Sequence, residues 1–189
     1  MRRIALALIV AASVLVSAFW ALRVPFFEAP DEEAHLDYAF ALVDVGGLRP
    51  LPGSYPASNV TPQVRFLARV SKLRRMRYDP GARVVPGYGT AAYFRAAAAE
   101  APEPSAASFG PGRPFPYVAY FYPIGAYAFF ASAIASGFAL GHSLIAAFFA
   151  ARLADVALLV PTLLAAYAIF RPRFGDPAAL LATAALGLF

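Results

Sequence analysis

Pro30, Asp31, Glu32, Glu33, Ala34, His35, Leu36, Asp37 and Tyr38 follow one another just after the first long apolar segment of the chain. Carboxylates at a point where a chain has left a bilayer cost desolvation unless water, a metal or a substrate proton meets them. Asp31 and Glu32 are therefore the first candidates for proton-transfer chemistry. His35, one turn after Asp31, could share a divalent metal with it, water filling the remaining positions, or could simply hydrogen-bond to it. The same carboxylates would equally well cap a surface helix, because acidic side chains favour the positive end of the helix dipole.

A second set is basic. Arg65, Arg69 and Lys72 stand at i, i+4 and i+7, with Arg74, Arg75 and Arg77 beyond them. They suit either a cradle for lipid phosphates or a phosphate-bearing donor, or a face that meets solvent and headgroups. Val64, Leu67, Val70, Leu73 and Met76 form an apolar stripe on the same stretch, so Thr61 to Tyr78 reads as an amphipathic helix. Arg152 and Asp155, one turn apart, read as paired charges at a membrane interface or as lining of a substrate cavity. His142, beside Gly141, reads as a turn residue.

The elements that must position these groups follow from composition. Hydrophobic residues make up 60% of the 189 and charged ones 14%, and mean hydropathy is +0.60, too apolar for a soluble domain. The expected fold is all-α: a polytopic integral membrane protein with a large external loop carrying amphipathic juxtamembrane helices. Cysteine is absent, which excludes disulfides and thiolate metal sites. One lysine against fifteen arginines, with abundant alanine, suggests a GC-rich bacterial genome.

Residues 1–23 form the first expected transmembrane helix. Arg2 and Arg3 ahead of it put the N-terminus in the cytoplasm, and a signal peptide cleaved after Val16, Ser17 and Ala18 is the alternative. Residues 24–116 hold nine of the eleven acidic and ten of the sixteen basic residues, as an extracytoplasmic loop domain would. Within it, Pro30 to Asp31 opens a helix that Gly46 and Gly47 close, with Leu36, Ala39, Phe40 and Val43 as the apolar face of an amphipathic helix on the outer membrane surface. Ala91 to Gly112, rich in alanine, proline, serine and glycine, reads as a mobile connector.

Residues 117–189 are the remaining membrane helices. Tyr117 to Leu140 either spans the bilayer, which would leave Arg171 and Arg173 outside, or dips and returns, which keeps them cytoplasmic; the second agrees with the positive-inside rule. The chain stops at Phe189 within an apolar run, which reads as a truncation.

A membrane helix followed by Pro30, Asp31, Glu32, Ala34 and His35, on an external helix closed by Gly46 and Gly47, resembles the N-terminal portion of GT-C glycosyltransferases. It is most similar to a bacterial membrane-protein family of unknown function. In that family a tyrosine-proline segment, here Tyr122, Pro123, Ile124, Gly125, Ala126 and Tyr127, leads to an arginine-leucine pair, here Arg152 and Leu153. Asp155 stands where the pattern favours asparagine. The resemblance covers most of the chain outside Arg49 to Gly112.

It implies transfer of a sugar from a polyprenyl-phosphate carrier to a hydroxyl of a glycan, lipid or protein. Asp31 takes the role of base, with Glu32 as companion carboxylate; His35, Arg65, Arg69, Lys72 and Arg152 are candidate substrate-binding residues. A base needs a pKa near the working pH, which a hydrophobic wall beside a carboxylate can supply. GT-C enzymes are usually much longer. A non-enzymatic membrane protein that binds or moves lipid-linked glycans, and a degenerate copy with a structural role, are the competing readings. The chain carries no phosphate loop, dinucleotide fingerprint or nucleic-acid motif.

Overall fold

The computed structural model describes residues 2–24, 32–44, 63, 64, 67, 87, 90–99 and 124–188. Asp31, Arg65, Arg69, Lys72 and most of the region expected to be external lie outside the described residues. The described elements are helical: α1 (Arg2–Arg23), α2 (Glu32–Asp44), α3 (Ala91–Ala99), α4 (Ile124–Gly141) and α5 (Leu144–Leu188). They belong to two compact units, Met1–Arg23 with Arg152–Phe189, and Val24–Ala151.

In the first unit, α1 is 22 residues long, about 33 Å at 1.5 Å per residue, enough to cross a hydrocarbon core. α1 and α5 are both long and apolar enough to cross a membrane, and little of either is buried inside the chain. Ile4, Leu8 and Leu15 are 65–70% exposed, a surface that water would not favour. α5 is broken at Gly175, whose φ of 76° and ψ of 170° leave the helical region. Pro172 and Pro177 flank the break; proline lacks the N–H that would carry a helical bond across it.

The two stretches of α5 then double back on each other. A Cβ on Gly187 would stand 3.1 Å from Leu163, twelve residues before the break, and would overlap Ser13 of α1. Ser13 is buried but satisfied, its hydroxyl donating to the Ile9 carbonyl at 2.9 Å. At one end, Arg2 pairs with Asp176, which also accepts from Tyr167 at 2.6 Å and meets Arg171 Nε at 3.0 Å. At the other, Arg152 donates to the carbonyl of Ala21 at 2.9 Å, satisfying one of the last backbone acceptors of α1. Residues 152–174 thus run antiparallel to α1, and Arg2 and Arg171 share an end.

In the second unit, α2 lies against α4. Leu36, Ala39 and Phe40 join Val64, Leu67, Ile134, Leu144, Ala147 and Phe148 in one core cluster, with Val43 packed against it. Tyr38, Ala41, Leu42, Tyr127 and Ala131 form another. Every residue from Leu36 to Leu42 is buried, Asp37 included. The expectation of an amphipathic helix lying on a membrane surface is therefore corrected: α2 is a core helix, because Tyr38, Ala41 and Leu42 extend its apolar surface round the side that a single stripe leaves polar.

Val64 and Leu67 are helical and fully buried, so that part of the expected stripe faces protein. The connector reading also needs correction over Ala91–Ala99, which is α3. Alanine has the best helix propensity, and Thr90 caps the start, its hydroxyl accepting from the Tyr93 N–H at 3.1 Å.

α4 and α5 form a tight hairpin. His142 takes a left-handed φ of 46°, its N–H donating to the Phe138 carbonyl at 2.9 Å, and the Ser143 hydroxyl accepts from the Ala146 N–H at 3.1 Å. The turn expected at His142 is there. A Cβ on Gly137 would stand 2.7 Å from the Ala147 Cα and from the Ala150 Cβ, so only glycine permits this approach.

Candidate functional site

Glu32 is the first residue of α2, half-buried, where the helix dipole favours its negative charge. One turn on, His35 is half-buried and faces Tyr127, four residues into α4. His35 Nδ1 and Tyr127 Oη share a hydrogen bond of 2.7 Å, and their rings lie 5.9 Å apart at 18°. Tyr38, one turn beyond His35, meets the same phenol ring edge-on at 4.6 Å and 83°. Tyr127 is 4% exposed, so its hydroxyl had to find a partner in the protein, and His35 is one.

This contact fixes what His35 can do. Nδ1 is engaged, as donor or acceptor according to tautomer, so the imidazole of α2 is held against α4. Asp31, the residue expected to join it, immediately precedes α2 and lies outside the described residues. Among the described residues no three His, Cys, Asp or Glu side chains gather as a metal site.

Of the other candidates, Arg152 is placed in the first unit, where one of its N–H groups serves Ala21. Arg65, Arg69 and Lys72 lie outside the described residues, although their neighbours Val64 and Leu67 are core residues of the second unit. Glu32 and His35 are thus on the helix the sequence expects.

The sequence reading missed three polar groups. Tyr127 stands in the quoted tyrosine-proline stretch, but its tie to His35 had no local signal. Asp37 is 2% exposed in α2, and the charge in the middle of an apolar run was the hint. Gln63 is 2% exposed, and its Oε1 has no hydrogen-bond partner among the described residues. Outside this site, burial pushes the Tyr93 phenol of α3 above its ordinary range.

No protein-family model matches the chain, and no curated protein and no solved structure matches it. Function must be argued from the residues.

Proposed function

We propose that the chain acts as a membrane glycosyltransferase, or as the N-terminal part of one, passing a sugar from a polyprenyl-phosphate carrier to a hydroxyl acceptor at the external face of a bacterial plasma membrane. The observation that carries this reading is the His35 to Tyr127 hydrogen bond. It ties together two stretches 92 residues apart on which the resemblance to GT-C enzymes rests.

In this reading Asp31 takes the proton of the acceptor hydroxyl as that oxygen attacks the sugar, and the carrier phosphate leaves with the bonding pair. Glu32 supplies a second carboxylate at the start of α2, and His35, braced by Tyr127, is the proposed substrate-binding residue beside it. Arg65, Arg69 and Lys72 are the proposed contacts to the carrier phosphate.

Orientation is part of the proposal. Arg2 and Arg171 share an end of the first unit, with Arg3 and Arg173 close by in sequence, and basic residues favour the cytoplasm. α1 then runs outward and residues 152–174 return, so the chain between them makes no net crossing and begins and ends outside. That supports a Tyr117 to Leu140 stretch that dips rather than spans.

The full-length protein, assayed with polyprenyl-phosphate sugars and hydroxyl acceptors, should transfer a sugar, and Asp31→Asn should lose about a hundredfold or more. Glu33→Gln should change little. Transfer by Asp31→Asn at the parental rate would remove the base from this motif. Carrier binding without transfer by the parent would favour a protein that binds or moves lipid-linked glycans.

A further inference from the structure

In the first unit, Leu6, Val10 and Val14 of α1 face Leu164 of α5 across a groove of about 430 Å³. It follows α1 from Arg3 to Val14, about 16 Å at 1.5 Å per residue. Its walls are hydrocarbon except at Arg3, where the helix begins.

Among the described residues, the charges at that end are unbalanced. Arg2 and Arg171 both pair with Asp176, while among the described residues no carboxylate pairs with Arg3 or Arg173. A hydrocarbon trough that ends at a guanidinium with no carboxylate partner among the described residues matches a molecule with an acyl chain and a net negative phosphate head. Zwitterionic lipids carry their own cation beside the phosphate, which offsets the attraction to arginine. A free phosphate lacks the chain that would fill the groove.

We propose that this groove holds one anionic phospholipid, its phosphate at Arg3 and an acyl chain along α1 toward Val14. The site lies at the opposite end of α1 from the point where the chain leaves for Glu32 and His35. It rests on the chain residing in a bilayer and does not require sugar transfer, so a failed transfer assay leaves it standing.

The full-length protein, purified in detergent, can be titrated with phosphatidylglycerol and with phosphatidylcholine of the same acyl chains, and bound lipid counted by native mass spectrometry. Phosphatidylglycerol should bind preferentially, one molecule per chain. Arg3→Gln should weaken it about fivefold, the effect of one basic residue near a lipid surface. Arg23→Gln removes the same charge from the far end of α1 and should leave binding unchanged. Ala11→Phe, at an exposed position in the groove, should weaken binding without changing charge. Equal binding of the two lipids, or equal losses in Arg3→Gln and Arg23→Gln, would overturn the site. So would full binding by Ala11→Phe, which would leave surface electrostatics alone.

Discussion

Tyr127 joins packing to polarity: its ring takes the edge of Tyr38 while its hydroxyl holds His35. Tyr127→Phe keeps the ring and deletes the oxygen. The expected cost is about 0.5–1.5 kcal/mol, read by thermal unfolding in detergent, with a larger loss in transfer if His35 must be held for the substrate. Unchanged unfolding would mean that the bond contributes nothing. Tyr93 gives a prediction in pH. Its neutral phenol is favoured by the fold, so the related stability is present below the ordinary tyrosine value near 10 and is lost as pH rises through the higher folded value. An ultraviolet difference titration against Tyr93→Phe should find its phenol ionising later than the free side chain; a Tyr93 component at or below the ordinary value would contradict its burial. That Glu32 and His35 lie on one helix was legible in the sequence because helix-start chemistry is local. The link to Tyr127 was not, since it depends on how α2 and α4 dock.

At the scale of elements, the hairpin of α4 and α5 depends on close backbone approach, as small residues allow between apolar helices. Gly137→Ala places a methyl 2.7 Å from the Ala147 Cα, which backbone cannot easily yield. A loss of about 1–3 kcal/mol in unfolding measurements is expected. Gly125→Ala, with nothing within 4 Å, should be neutral or slightly stabilising, since alanine is the better helix former. Equal stability of the two variants would contradict the packing. The apolar stretches themselves were legible from residue type, and so was the turn at His142. α2 was misjudged because counting one stripe overlooked Tyr38, Ala41 and Leu42 on the other side. α3 was missed because proline, serine and glycine beyond Glu100 coloured the reading of the alanines before them.

For the whole molecule, two helices long and apolar enough to cross a membrane were legible because length and composition alone report them, whereas the grouping of α1 with residues 152–189 was not. That grouping arises from Ser13 against Gly187 and Arg2 against Asp176, contacts with no periodic signature in the chain. It motivates a topology test that the absence of cysteine makes clean. A single cysteine at Ser58 should react with an impermeant thiol reagent on intact cells, and one at Arg173 should react only after the membrane is opened. Labelling of both on intact cells would place Arg171 and Arg173 outside and make Tyr117 to Leu140 a crossing.

The burial of every residue from Leu36 to Leu42 also sets a schedule for biogenesis. His35 and Tyr127 are 92 residues apart, and a ribosome adding about 5–20 residues per second needs roughly 5–18 s to make that interval. For those seconds Leu36 to Leu42 emerge with no α4 to receive them. The nascent chain must shelter this apolar helix elsewhere, and the His35 and Tyr127 contact can form only after the α4 segment has been synthesised.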